Sequence, residues 1–404
     1  MEARMDVDAE DELEHQAHHE AQTLVDPEGA MQALRDAIAQ PLDRSVSGAI
    51  KKRDKDITEL SQLYSKYDKA AEMRQLIDDV RPFLEVISKA KGGKVFKNLI
   101  DRFVELKSAT PDEKVNMCKD CIAWAQENKR TFLRQALEVR LIALHLDAKQ
   151  YQECLAELQP LVRELKRLDD RQLLVEVMLM ESQALFALSN YPKARASLVS
   201  ARTTANTIYC PPKMQAALDL QSGILHAQEG DYKTAYSYFY EAFEGYDSVD
   251  MPANALRGLK YMLLSKVLLK DAADVPAIVT GKLALKYSGR DIEAMQAVAA
   301  ADLKRSVANF ERALKDYPSE LQDDMVVQGH VHDLWDSLLQ SNLARIVEPF
   351  SRVEITHVAE TINLSVADVE KKLSQMILDG QLHGILDQGT GCLEIFEPET
   401  KDET

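Results

Sequence analysis

From about residue 50 onward, apolar side chains recur three and four positions apart, as in Leu60, Leu63, Tyr64 and Tyr67, then Leu76, Ile77, Val80 and Leu84. That spacing places them on one stripe of a 3.6-residue helix and predicts a succession of amphipathic helices. Helix starts are legible in the polar positions. In Thr110-Pro111-Asp112-Glu113 the threonine can cap, the proline suits the first helical position and Glu113 can reach back to complete a capping box. Pro211-Pro212, Gly230-Asp231, Met251-Pro252 and Tyr317-Pro318 mark further breaks.

An internal repeat says more than any single helix, because it fixes the architecture. A tyrosine is followed three positions on by a small residue and four beyond that by Leu or Phe: Tyr151, Cys154, Leu158; Tyr191, Ala194, Leu198; and Tyr232, Ala235, Phe239, at intervals of 40 and 41 residues. Each copy follows an apolar-striped helix, such as Phe132 to Leu146 and Leu173 to Leu188. The small residue lets two helices approach closely, while the larger ones fill the space between hairpins. The fold expected is mostly α, a right-handed solenoid of stacked helical hairpins similar to tetratricopeptide repeats, with faces suited to binding protein.

Near residue 336 the character changes. A helix from Asp336 to Val347 leads through Pro349 to the strand-like Val353-Glu354-Ile355 and a short helix around His357 to Thr361. Ser365-Val366-Ala367-Asp368 is a second capping box, opening a helix through Leu378 that Gly380 can end. Leu382 to Leu386 and Cys392 to Phe396 flank Asp387-Gln388-Gly389-Thr390-Gly391 and read as a hairpin. Helix, strand, two helices and a hairpin is the order of a winged helix.

Composition agrees and excludes. Of 404 residues 46% are hydrophobic and 6% aromatic, with 15 Gly and 13 Pro, which favours helix nearly everywhere. The apolar runs Tyr261 to Leu264 and Val267 to Leu269 are broken by Ser265 and Lys266. They fall short of the roughly 20 apolar residues a spanning helix needs, so no membrane association is expected. The chain opens acidic rather than with a basic, apolar leader, and its five cysteines form no paired framework, so cytoplasm and nucleus are the expected compartments. A net charge of −17 opposes binding to a phosphate backbone. Residues 1–50 are expected to be an acidic, largely disordered tail, since they carry no sustained apolar stripe.

A helical solenoid closed by a winged helix resembles the plan of the PCI domain, shared by the proteasome lid, the signalosome and translation initiation factor 3. Several runs are similar to one lid-subunit family in particular: Lys129-Arg130-Thr131-Phe132-Leu133-Arg134-Gln135-Ala136-Leu137-Glu138, Ser200 to Asn206 continuing to Cys210-Pro211-Pro212, Ala235 to Tyr246, Glu348 to Val353, Lys372 to Asp379 and His383 to Gly389. The resemblance covers roughly residues 55–396. It implies a helical-repeat solenoid over 51–210, the helical part of a PCI domain over 211–335, a winged helix over 336–396 and a short polar tail over 397–404. It further implies a non-catalytic scaffold whose partners are other lid PCI subunits, ATPase-ring subunits and 20S core alpha subunits. A PCI subunit of the signalosome or of translation initiation factor 3 is the alternative. The family's long C-terminal helix is expected to be missing, because Glu397 to Thr404 holds no apolar side chain. Truncation, divergence and a paralogue with altered lid assembly all fit that feature.

Candidate chemistry is sparse, and no catalytic residue, cofactor or metal site is expected. His330-Val331-His332 matches the start of a His-x-His metal motif, but the aspartate needed about eleven residues later is replaced by Leu343, which favours two helix positions over a metal pair. Cys118-Lys119-Asp120-Cys121 is a lone CxxC inside a predicted helix and reads as helix burial. Glu14, His15, His18 and His19 have chelating spacing only if the tail is helical. Gly389-Thr390-Gly391 lacks the Lys-Ser or Lys-Thr of a phosphate loop, and Lys51-Lys52-Arg53-Asp54-Lys55 reads as solvated helix surface. No Gly-x-Ser-x-Gly or His-Glu-x-x-His motif occurs, so an enzyme is not expected. A winged helix can also bind DNA, but on Val366 to Asp379 the acids Asp368, Glu370 and Asp379 outnumber Lys371 and Lys372, which opposes a role with nucleic acid. The expected contact is instead with protein, through Cys392, Leu393, Glu394, Ile395 and Phe396 offered as an edge strand. Leu393 and Ile395 fit equally well as the inward face of the domain.

Overall fold

The computed structural model describes residues 27–40, 49–362, 364–387, 389 and 391–396. The chain divides into two compact units, one ending at Ala184 and the other beginning at Leu185.

In the first unit, antiparallel helices follow one another: α1 (Pro27–Ala39), α2 (Ala49–Lys66), α3 (Ala70–Val86), α4 (Lys89–Glu105), α5 (Pro111–Glu127), α6 (Thr131–Asp147) and α7 (Tyr151–Leu168). The division between units falls inside α8 (Arg171–Ala187). The three-and-four spacing becomes a core as expected: Leu60, Tyr64, Leu76, Ile77, Val80 and Leu84 are all buried, and Phe96, Ile100 and Phe103 join them from α4. Tyr67 sits past the stripe and is exposed. Thr110 forms the full capping box of α5, its hydroxyl accepting from the Glu113 N–H at 3.3 Å while Glu113 Oε2 accepts the Thr110 N–H at 2.9 Å.

The tail expected over residues 1–50 needs correction where it is described. Residues 27–39 are helical, and Met31 and Leu34 are buried in the first unit's core. Two apolar side chains one turn apart suffice to anchor a short helix once a neighbouring helix shares the burial, which the absence of a longer stripe concealed. Arg53 belongs to the same anchoring. It donates to the carbonyls of Ile38 and Gln40, both at 2.7 Å, and so satisfies acceptors at the end of α1 rather than standing as solvated surface.

The second unit continues with α9 (Tyr191–Ala205), α10 (Pro212–Gln228), α11 (Tyr232–Ser248), α12 (Pro252–Leu268), α13 (Val275–Val279), α14 (Arg290–Leu303), α15 (Val307–Asp316), α16 (Pro318–Gln322) and α17 (Met325–Val347). The repeat motif falls in register: Tyr151, Tyr191 and Tyr232 are each the first residue of a helix, and Cys154, Ala194, Ala235, Leu158, Leu198 and Phe239 are all buried. The turns between helices also repeat. Lys149, Ser189, Gly230 and Asp250 each take a left-handed φ between 54 and 81° or close to it, and the next residue's N–H returns to a carbonyl five positions back, as Asn190 does to Leu185.

The chain then closes on β1 (Arg352–Glu354), α18 (Ile355–Ile362), α19 (Val366–Leu378), β2 (Gly384–Asp387) and β3 (Cys392–Ile395). This is the expected winged-helix order, although its first helix begins at Met325 rather than Asp336, because Asp324 caps α17 through the N–H groups of Val326 and Val327. Gly380, at φ +69°, ends α19. The second capping box is only half formed: Ser365 Oγ accepts the Asp368 N–H at 3.2 Å, but the Asp368 carboxylate takes the Ser365 hydroxyl at 2.5 Å, being too short to reach its N–H. Leu338, Leu343, Val358, Leu373 and Leu393 belong to the same core as Phe239 and Leu263, so winged helix and helical array fold as one body within this unit.

Candidate protein-interaction site

The three strands pair antiparallel in the order β1-β3-β2. Val353 lies opposite Leu393 on one side, and Leu386 opposite Leu393 on the other. The strand Cys392 to Ile395 is therefore central, with neighbours on both sides, and not the edge strand expected from the sequence. The three residues Arg352 to Glu354 complete its second ladder, so its backbone donors and acceptors have no free row to offer a partner. The outer margins of the sheet are β1 and β2.

The side chains sort by pleat except at Cys392, which is buried although it alternates with Leu393 along β3. Leu393 and Cys392 are buried, Ile395 is half-buried, and Glu394 and Phe396 are exposed. Leu393 thus takes the inward role that its sequence also allowed. On the outward face Ile385, Glu394 and Arg352 stand side by side across the three strands, with Arg352 Nε 3.8 Å from Glu394 Oε1. Ile385 is 58% exposed and Phe396 48%, and Phe396 is fixed beside β2 by its N–H bond to the His383 carbonyl at 2.8 Å. Gly384 is required at the start of β2, since a Cβ there would stand 2.5 Å from the Glu394 carbonyl oxygen. Ile385 went unremarked in the sequence because its outward position depends on the strand order, which hydropathy does not carry.

The face carries acid rather than base. Glu354, Asp387 and Glu394 surround the single Arg352 on the strands. On α19, Lys372 is buried and its Nζ is held by Asp336 of α17 at 2.9 Å, so one of that helix's few cations is turned inward. A phosphate backbone would find little compensating charge here.

The remaining motif residues scatter. His330 is buried edge-on against Tyr232, with ring centroids 5.9 Å apart, and burial holds its pKa below the usual value, while His332 faces solvent. The two imidazoles do not converge, and Leu343 is in the core. Cys118 and Cys121 are fully buried in α5, and burial pushes their thiols up to about 11 and about 12. Among the described residues no group of three His, Cys, Asp or Glu side chains is arranged to hold a metal ion, and no helix is long and apolar enough to cross a membrane. Glu14, His15, His18 and His19, residues 397–404, and Gln388 and Thr390 of the hairpin turn lie outside the described residues. Within that turn Asp387 Oδ1 accepts the Gly389 N–H at 2.9 Å, and Gly391 has φ +65°.

Helical array and three-stranded winged helix together define a PCI-domain protein, and the PCI family model matches residues 314–397. A second family model, the 26S proteasome regulatory subunit RPN6 N-terminal domain, matches residues 11–148. The chain is 51% identical over 352 residues to the "Probable 26S proteasome regulatory subunit rpn6" of Schizosaccharomyces pombe, covering 87% of this chain and 83% of that one. It is 49% identical over 354 residues to the 26S proteasome non-ATPase regulatory subunit 11 homolog of Arabidopsis thaliana, covering 88% and 84%. Identity to the 26S proteasome non-ATPase regulatory subunit 11 of Dictyostelium discoideum is 48% over 354 residues, covering 87% and 84%. The chain belongs to the family of 26S proteasome regulatory subunit Rpn6, also called non-ATPase regulatory subunit 11.

Proposed function

We propose that this chain is a non-catalytic scaffold subunit of the proteasome lid, acting in ubiquitin-dependent protein degradation in cytoplasm and nucleus. Identity near one half across more than four fifths of relatives named as 26S proteasome regulatory subunits carries the reading. The same relatives disfavour the signalosome and initiation-factor alternatives. In this reading the winged helix joins other lid PCI subunits, and the helical repeats reach ATPase-ring and 20S alpha subunits. The outer margin of β2, flanked by Ile385 and Phe396, offers both an open ladder and exposed apolar side chains, which suits addition of a neighbour's strand.

The test is an affinity-tagged copy expressed in its own cells, purified in low salt and analysed by mass spectrometry. Proteasome lid, ATPase and 20S subunits are expected in proportion. Recovery of signalosome or initiation-factor subunits in their place would overturn the assignment.

A further inference from the structure

In a chain of net charge −17, residues 86–100 of the first unit carry four lysines, Lys89, Lys91, Lys94 and Lys97, and no acid. All four lie on α4 and are exposed, and steps of about 100° per residue keep them on about half of its circumference. Among the described residues none of the four is paired with a carboxylate. The acids that flank the run do not balance it. Asp101 is held by Arg140 at 2.9 Å, which leaves Glu85, on the last turn of α3, against four cations.

The start of α4 adds to this charge instead of offsetting it. Its first turn holds no acid, although the positive end of the helix dipole favours one there, and the N-cap Ser88 makes no side-chain cap bond. The first helical closure is the Gly92 N–H to the Ser88 carbonyl at 2.9 Å, so the N–H groups of Lys89, Ala90 and Lys91 have no acceptor within the helix. A fifth cation lies beneath that turn. Arg130, 8% exposed, donates through Nη2 to the Leu84 carbonyl at 2.6 Å, while its Nη1 has no acceptor and stands 3.1 Å from the place a Cβ on Gly92 would take. Lysine ammonium groups, open helix N–H groups and an unanswered guanidinium all call for the same complement, an anion with several charges.

The chain itself supplies one. Residues 1–26 lie outside the described residues, and within them segment 6–14 places six acids in nine positions with no base. Its attachment point is close. Glu28, at the start of α1, meets Lys69 at the start of α3 at 3.6 Å, and the 17 residues of α3 then run about 25 Å to the start of α4. The stretch from Glu14 to Pro27 spans about 20 Å as a random coil and about 43 Å fully extended, enough to cover that distance. We propose that segment 6–14 docks on the lysine face of its own chain, with its carboxylates over Lys89, Lys91, Lys94 and Lys97 and the open N–H groups of the first turn of α4. The docked segment covers this face against other anions. The contact lies within one chain, so it stands or falls independently of lid membership.

The test compares two forms of the full chain at about 50 mM salt, the natural one and one whose six acids in segment 6–14 are changed to amides by Asp6→Asn, Asp8→Asn, Glu10→Gln, Asp11→Asn, Glu12→Gln and Glu14→Gln. The probe is a fluorescent peptide of residues 5–16 in the natural sequence. It is expected to bind the amide form at least tenfold more tightly than the natural chain, whose own segment holds the face at the high local concentration of a tether. Adding Lys91→Glu and Lys94→Glu to the amide form should abolish peptide binding, and so should raising the salt to about 0.5 M. Carbodiimide coupling of carboxylates to amines, in an equal mixture of ordinary and nitrogen-15-labelled natural chain, should link segment 6–14 to the α4 lysines within one copy. Equal affinity for the two forms, absence of binding to either, or undiminished binding after Lys91→Glu and Lys94→Glu in a chain that circular dichroism shows folded would each overturn the proposal. Links formed chiefly between copies would overturn it as well.

Discussion

The phenol of Tyr261 on α12 donates to the carboxylate of Asp324, 2.9 Å from Oδ1, and that carboxylate also caps α17. Lys260 Nζ meets the other oxygen at 3.3 Å and reaches Asp291 of α14 at 3.0 Å, while Arg257 Nε donates to the Tyr261 hydroxyl at 3.0 Å. Tyr261 and Lys260 are both buried. One aspartate therefore ties the helical array to the long helix that opens the winged helix, and burial, outweighing the guanidinium of Arg257, holds the Tyr261 hydroxyl above its usual pKa. Buried polar groups of this kind are costly when left partly unpaired, which makes the junction specific as well as stable.

Asp324→Ala should accordingly cost about 3 kcal/mol, combining a lost helix cap with a buried tyrosine and lysine deprived of one partner. Asp324→Asn keeps the cap geometry and the acceptor for Tyr261, so it should lose about half as much. Urea denaturation of the full chain measures both. Equal losses for the two variants would show that charge, not capping, dominates at this junction.

The small-residue positions of the repeat predict intolerance to added volume. The ring of Phe239 lies where a side chain on Gly223 would stand, its Cε1 2.5 Å from an ideal Cβ, and Ala235 is fully buried one helical turn away from Phe239. Gly223→Ala and Ala235→Trp should each destabilise by about 1–3 kcal/mol or more, despite the better helix propensity of Ala over Gly at the first site. Thermal melting by circular dichroism should show both midpoints lowered. An unchanged melt for Ala235→Trp would mean that the small residue does not face the neighbouring helix.

Cys118 and Cys121 give an alkaline prediction. In the unfolded chain a thiol ionises near 9, whereas burial pushes these two up to about 11 and about 12. Below pH 9 both states hold the protons and the pair contributes no pH dependence. Between about 9 and 11 the unfolded chain releases protons that the folded chain retains, so stability falls as pH rises. Urea midpoints at pH 7, 9 and 10 should decline more steeply for the natural chain than for Cys118→Ala/Cys121→Ala, and the thiols should resist Ellman's reagent at pH 7.5 until the chain unfolds.

Periodicity made most of the array legible, since Leu60, Leu76, Leu158 and Phe239 occupy the buried stripes that their spacing implies. The repeat gave register because a tyrosine opens each helix. What stayed hidden has physical causes. Lys149, Ser189 and Asp250 take the left-handed turns where glycine is the usual marker, so those helix ends carried no composition signal. Met31 and Leu34 are too few to announce a helix. The strand order was also out of reach, because a three-residue β1 contributes almost no alternation, yet it decides that Cys392 to Ile395 lies inside the sheet.

The strand order yields the last prediction. With β3 paired on both sides, a partner strand has to meet the outer margin of β2 or β1, and β2 alone carries a large exposed apolar side chain, Ile385, with Phe396 close by. Ile385→Glu places a charge on solvent-facing strand surface, where substitutions usually change stability by no more than about 0.5 kcal/mol. At an interface the same charge has to be desolvated beside Glu394, its cross-strand neighbour, and opposes association through both burial and like-charge repulsion. The variant should therefore melt like the natural chain while recovering several-fold fewer lid subunits in the tagged purification. Leu393→Ala, by contrast, empties a fully buried position and should cost about 2–5 kcal/mol of stability. Unimpaired recovery with Ile385→Glu would move the contact away from the β2 margin, to β1 or to the helical face of the domain.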